Sequence, residues 1–170
     1  MSPIVSVEHL GKSFGGLRAV HNVSFNVEPG EVLGIIGPNG AGKTTLFNCM
    51  AGMFPPSTGT VHYQSENVTS WSDAKLARAG MVRTFQLMRP FGSMTVLENV
   101  AVAAAARGAK ERDAMAQAWE ILQRVGLDHY ATRTSKDLPT AGLKRLELAR
   151  AMALHPKVLL LDEVLAGLVP

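Results

Sequence analysis

Eight residues constrain this chain more than any others. Gly37-Pro38-Asn39-Gly40-Ala41-Gly42-Lys43-Thr44 places two glycines around four residues and follows them with Lys and Thr. The run before it, Glu31-Val32-Leu33-Gly34-Ile35-Ile36, is apolar and β-branched and predicts a strand. The run after it predicts a helix from Lys43 to about Ala51, stopped near Gly52 and Pro55-Pro56. A glycine turn with a surface lysine would need neither neighbour. Between a strand and a helix, the glycines let the backbone curl so that successive N–H groups and the helix N-terminus face phosphates. Lys43 then reaches the β and γ phosphates, the Thr44 hydroxyl ligates Mg²⁺, and Thr45 adds a second hydroxyl. The expected ligands are ATP and Mg²⁺.

Around this unit the chain alternates in Ile4–Leu10 and again in Val23–Val27, with turns at Gly15-Gly16 and Pro29-Gly30, so it opens as an antiparallel β layer. Val61 to Gln64 and Met81 to Phe85 predict short strands. Ala114, Ala118, Leu122 and Val125, joined by Met115 and Trp119, recur at helical spacing before Gly126. A second helix is expected from about Gly142 to Leu154, closed by His155-Pro156, and Val158–Leu161 predicts a buried strand of the parallel-sheet kind. Trp71 and Trp119 are expected to pack in the core or subdomain rather than on a ligand. The organisation is α/β, one domain over residues 1–170. Residues 1–70 and 151–170 form the catalytic core, and 71–150 a mainly helical subdomain.

The apolar strand at Val158 runs into Asp162-Glu163. A strand ending in Asp-Glu is ordinarily a loop start; with a phosphate loop upstream, Asp162 can hold a water of the Mg²⁺ shell, and Glu163 can orient an attacking water or accept its proton. Composition excludes other classes. With a single cysteine, Cys49, there is no disulfide framework and no cysteine metal cluster, and Cys49 reads as a small buried apolar residue. The longest apolar stretch, Val100 to Ala106, falls far short of the ~20 residues of a membrane span. No signal peptide is read at the start, so the chain is expected in the cytoplasm, with any membrane link made through a partner. Residues 1–70 carry three Lys/Arg against four Asp/Glu, and residues 71–170 carry fourteen against ten. Basic residues adjoin only in pairs such as Lys144-Arg145, so no nucleic-acid partner is expected.

The phosphate loop, Val82-Arg83-Thr84-Phe85-Gln86, the Leu-Ala-Arg-Ala helix at 148–151 and the Leu-Leu-Leu-Asp-Glu strand together resemble the ATP-binding subunits of ABC transporters. The resemblance covers nearly the whole chain. Phe14-Gly15-Gly16-Leu17-Arg18-Ala19-Val20 and Thr95-Val96-Leu97-Glu98-Asn99-Val100 are similar, more narrowly, to the branched-chain amino-acid importer group. The resemblance implies a P-loop NTPase core of the ABC ATPase type. It makes Phe14 the aromatic residue stacked on adenine. Gln86 becomes the glutamine that touches the metal and the attacking water, where a transmembrane subunit docks. The implied activity is ATP hydrolysis driving import of branched-chain amino acids or a related polar solute. The implied partners are transmembrane permease subunits, a second ATPase subunit and, indirectly, a periplasmic or extracellular solute-binding protein. The implied location is peripheral, on the cytoplasmic face of the inner or plasma membrane.

Two departures qualify the resemblance. The family's signature, Leu-Ser-Gly-Gly-Gln, stands here as Leu138-Pro139-Thr140-Ala141-Gly142. In such dimers one subunit's signature covers the other's ATP, and Pro139 has neither the serine hydroxyl nor a backbone N–H. Thr140 and Ala141 add side chains that narrow the approach. Lys144 and Arg145 read as a solvated helix face, with electrostatic compensation as the alternative. A heterodimer with an intact second subunit is therefore expected over a homodimer. The second departure is that His9, His21, His62, His129 and His155 all precede Asp162, so none matches the family's switch histidine. The ending at Pro170, just past Ala166-Gly167-Leu168 where the D-loop belongs, reads as a C-terminal truncation. A nucleotide-binding remnant without turnover, or a soluble ABC protein acting on nucleic acid or the ribosome, are the alternatives.

Overall fold

The computed structural model describes residues 2–84 and 90–162. They fall into two compact units, Met1–Met81 and Val82–Pro170. The expected roles of Phe85, Gln86, Glu163 and the 166–168 stretch lie outside the described residues.

The first unit is built on one antiparallel sheet of order β2-β1-β3-β4, from β1 (Val5–Phe14), β2 (Leu17–Val27), β3 (Thr58–Tyr63) and β4 (Glu66–Asn67). Alternation sets the register: Val5 pairs with Val27 and Tyr63, and Val7 with Phe25 and Val61, which buries Val5, Val7, Val61 and Tyr63 on one face. Gly15 at φ +55 opens the tight β1–β2 turn that leaves Phe14 at the strand's end. Helix α1 (Lys43–Met50) buries Leu46, Cys49 and Met50, and α2 (Asp73–Ala79) is capped by Ser72 and closed by left-handed Gly80.

The strand expected at Glu31–Ile36 is absent from the sheet, and Val32 and Ile36 stand 96% and 97% exposed. A strand exists only through ladder partners for its N–H and C=O groups, and the order β2-β1-β3-β4 provides none for this run.

In the second unit, α3 (Val96–Ala105), α4 (Glu111–Val125) and α5 (Thr140–Ala153) enclose a core that includes Val96, Val100, Ala118, Leu122, Leu127, Leu146 and Ala149. Small residues at Ala101, Ala104, Ala114 and Ala118 let these helices approach closely. Trp119, expected to pack, is 43% exposed; the buried stripe of α4 runs through Ala114, Ala118, Ile121 and Leu122, and Trp119 turns off it toward solvent. Helix α5 starts two residues earlier than expected, because Pro139 at its N-cap holds φ at −65° and Thr140 follows directly into the first turn. The strands β5 (Met81–Arg83) and β6 (Val158–Leu160) form a two-stranded sheet. Only Leu160 of β6 is buried, so this strand is less enclosed than its apolar run suggests.

Candidate functional site

The phosphate loop of the first unit turns on two left-handed glycines, Gly40 at φ +83 and Gly42 at φ +88. Ala41 N–H donates to Pro38 O at 3.2 Å, which curls the loop, and Leu46 N–H donates to Gly42 O at 2.9 Å, which starts α1. Gly42 is the N-cap, and no acidic residue occupies the first helical turn. An anion at this end therefore meets free N–H groups and the positive pole of the helix without a competing carboxylate. Lys43 lies across the loop, its Nζ donating to Gly37 O at 2.7 Å and Pro38 O at 2.9 Å. That places an ammonium inside the curl, where phosphate oxygens can replace the two carbonyls as acceptors. Thr44 and Thr45 are half-buried at the same helix end.

The wall behind the loop is β2. A Cβ on Gly42 would overlap Ala19 O and press on Val20, so strand and helix meet there with no room for a side chain. Phe14 is 48% exposed and stands edge-on to Phe54, with ring centroids 5.5 Å apart. Lys12 steadies the pair, its Nζ 5.2 Å from the Phe14 centroid and 4.9 Å from that of Phe54, while donating to Pro55 O at 2.7 Å. The ring is thus braced by two neighbours and still about half exposed, which leaves surface for a stacked purine. The lysine was missed in the sequence, where only the alternation Lys12-Ser13-Phe14 hints at it. Cys49, inside α1, is buried, and burial pushes its thiol up to about 11 against the opposing pull of Lys12.

In the second unit Asp162 follows β6 and is buried. Its Oδ2 accepts from Arg83 Nη2 at 2.9 Å, with both side chains under a tenth exposed. Sequence inspection marked Asp162 but not Arg83, because a partner 79 residues away leaves no local pattern. Leu138 and Gly142 are buried, whereas Pro139, Thr140 and Ala141 are exposed at the N-terminus of α5. A Cβ on Gly142 would come within 3.2 Å of Leu138 Cδ2 and 3.3 Å of Pro139 Cδ, so this glycine serves close packing inside the segment. Lys144 is half-buried and Arg145 exposed.

A further cluster went unread. Asn99 of α3 is fully buried; its Oδ1 accepts from Phe91 N–H at 2.8 Å, and its Nδ2 donates to Phe91 O at 3.1 Å and Thr95 O at 2.9 Å. Ser135 Oγ donates to the same Phe91 carbonyl at 2.9 Å, and the Arg150 guanidinium lies 5.1 Å from the Phe91 ring. The chain around residues 91–95 is therefore tied to the helical core by the Asn99 amide together with Ser135 and Arg150.

For Mg²⁺ the relevant test is donor chemistry. No group of three or more His, Cys, Asp or Glu gathers among the described residues. Thr44 and Asp162 offer a hydroxyl and a carboxylate, hard oxygen donors. That suits an ion which keeps several waters and takes one or two carboxylates together with substrate phosphates. Each of the two, within its own unit, has the donor chemistry that Mg²⁺ takes.

The family model for ABC transporters matches residues 20–166. The chain belongs to the ABC transporter ATP-binding family. It is 40% identical to the Escherichia coli high-affinity branched-chain amino acid transport ATP-binding protein LivG, over 99% of this chain and 72% of LivG. It is 41% identical to BraF of Pseudomonas aeruginosa, of the same description, with the same coverage. Among solved structures, an ATP-binding cassette of an ABC transporter superposes with a TM-score of 0.87 at 33% identity, covering 100% of this chain and 72% of that one. Another, described as the ADP conformation of an ATP-binding cassette, gives 0.86 at 33% identity. The α/β fold expected from the sequence is that of these ABC ATPase cassettes. Among the described residues no helix of this ABC subunit is long and apolar enough to cross a membrane.

Proposed function

We propose that this ABC-type ATPase binds MgATP and energises the import of branched-chain amino acids, or of a closely related polar solute, through separate permease subunits on whose cytoplasmic side it sits. The observation that carries this is the 40% identity to LivG across 99% of the chain, together with an intact phosphate loop. In this proposal residues 1–70 and 151–170 are the catalytic core and 71–150 the helical subdomain.

Each residue then has a task. Phe14, braced by Lys12 and Phe54, stacks its exposed ring surface on adenine. Residues Gly37, Pro38, Asn39, Gly40, Ala41 and Gly42 wrap the phosphates, and Lys43 exchanges its loop carbonyls for β- and γ-phosphate oxygens. The Thr44 hydroxyl, the Asp162 carboxylate and Gln86 are the residues that would hold Mg²⁺, Gln86 would also touch the attacking water, and Thr45 adds a phosphate contact. Bound Mg²⁺ neutralises charge developing on the transferred phosphoryl group. Glu163 orients the attacking water and accepts its proton.

The Leu138–Gly142 segment acts on a partner subunit. Pro139 and Thr140 stand exposed at the N-terminus of α5, which supports a role in covering nucleotide held by a second ATPase. The deciding experiment joins this chain to branched-chain permease subunits and a second ATPase subunit and follows leucine uptake into vesicles. ATP-dependent uptake is expected, and Lys43→Ala is expected to abolish it together with ATP binding in calorimetry. Equal ATP affinity in wild type and Lys43→Ala would refute the role of the loop lysine.

A further inference from the structure

We propose that the cleft between α4 and the end of α5 binds a free α-amino acid with an aliphatic side chain. Arg124 takes the carboxylate, Glu120 the ammonium, and Ile121, Met152 and Pro156 lie under the side chain. The choice of a branched chain rests on the proposed solute; the recognition of a zwitterion rests on the cleft.

The cleft lies wholly in the second unit and measures about 340 Å³, at the lower end of the ~300–1,000 Å³ typical of small-molecule sites. Its depth is apolar: Ile121 is buried, and Met152 and Pro156 are half-buried. Its rim is charged. Glu120 and Arg124 are exposed and about one turn apart on α4, with the acid on the N-terminal side, the order in which an i,i+4 pair closes best. Yet they form no ion pair with each other, and neither has a partner among the described residues. Opposite charges one turn apart over an apolar surface match the two ends of a zwitterion whose side chain points inward.

About two turns of α4 from Arg124, the cleft is closed by a bond between its two walls. His155 Nε2–H donates to Gln117 Oε1 at 3.2 Å, which joins α4 to the chain just past α5. His155 takes a left-handed backbone, φ +48, where helices ordinarily place glycine. A glycine would relieve the backbone and lose the imidazole, so the bond to Gln117 is held against local strain. A solvated helix pair accounts for the two charges, but not for an apolar depth closed by a strained residue.

The test uses this chain alone, without permease or nucleotide, and follows the Met152 methyl and His155 ring signals by NMR as L-leucine is added. Saturable shifts are expected. Leucinamide lacks the carboxylate and 4-methylpentanoate lacks the ammonium, and each is expected to bind about tenfold or more weakly than leucine. Arg124→Gln and Glu120→Gln should each weaken leucine binding similarly. Melting temperature and ATP affinity should stay at wild-type values, since both side chains are exposed and lie outside the phosphate loop. Absence of a saturable shift would overturn the proposal. So would equal binding of leucine and leucinamide, a leucine affinity unmoved by Arg124→Gln or by Glu120→Gln, or tighter binding of glycine or L-lysine than of leucine. Should a variant fail to fold, the two analogues on the wild-type chain decide alone. The outcome is separate from the proposed function. Leucine binding without ATP-driven uptake would leave this inference standing and remove the transport reading, and uptake without leucine binding would do the reverse.

Discussion

Gly42 does two jobs that no other residue can do together. Its φ of +88 is left-handed, and its missing Cβ leaves room for Ala19 O of β2. In Gly42→Ala the left-handed backbone alone costs about 1–2 kcal/mol, and the overlap with a backbone carbonyl adds to it because a strand cannot step aside. Calorimetry is expected to show ATP affinity falling at least tenfold, with a lower melting temperature; a variant that binds ATP as wild type would contradict this packing. The loop spacing alone announced a glycine here. That Ala19 is the neighbour was not legible, since the contact links residues 23 positions apart, across the rest of β2 and the segment that follows it. Cys49 was legible as a buried apolar residue, and burial raises its thiol from 9.0 to about 11. A raised acid stabilises the fold below its unfolded value, so the contribution of Cys49 is complete below pH 9.0 and is lost as pH rises through about 11. Denaturant midpoints between those pH values should fall more steeply for wild type than for Cys49→Ala; parallel slopes would disprove the linkage.

Elements show where local pattern suffices and where it fails. Helix α3 opens with a full capping box: Glu98 N–H donates to Thr95 Oγ1 at 3.1 Å, while Thr95 N–H donates to Glu98 Oε2 at 2.7 Å. The Thr95-Val96-Leu97-Glu98 spacing carries that signal in the sequence. The backbone hydrogen bond from Thr95 holds the Glu98 carboxyl below its usual 4.5. A depressed carboxylate stabilises above its unfolded value, so this cap is intact above pH 4.5 and fails as pH falls through the lower folded value. Glu98→Gln should flatten the acid limb of the unfolding midpoint below pH 4.5 and change little at pH 7 beyond the loss of a charged acceptor; an unaltered acid limb would rule this out. The Glu31–Ile36 run was not legible, because strand propensity states only what a segment tolerates, and a strand also needs ladder partners. Trp119 was misjudged for a related reason. A helical period fixes a stripe, but at one residue from Ala118 a side chain lies about 100° off it.

At the scale of the whole assembly the signature segment is decisive. Pro139 at the N-cap of α5 offers no N–H and its side chain makes no cap hydrogen bond, and Thr140 and Ala141 stand exposed beside it. In an identical pair, both nucleotides would face this surface. Beside a second ATPase with an ordinary signature, the loop Gly37–Thr45 with Asp162 and Glu163 would receive the competent cover, and the partner's loop the impaired one. Turnover should then reside mainly in the site built on this chain. Glu163→Gln in this chain is expected to suppress ATP-driven uptake by the permease complex while leaving ATP binding intact, since the amide keeps the shape but cannot accept the proton. The same exchange in the second ATPase should cost much less. Converting Pro139→Ser, Thr140→Gly and Ala141→Gly together should raise turnover at the partner's site by restoring donors and clearing the approach. Full uptake by this chain with the permease alone, or equal losses from the two glutamine exchanges, would show that Thr140 and the remaining N–H groups suffice in a homodimer or a symmetric pair.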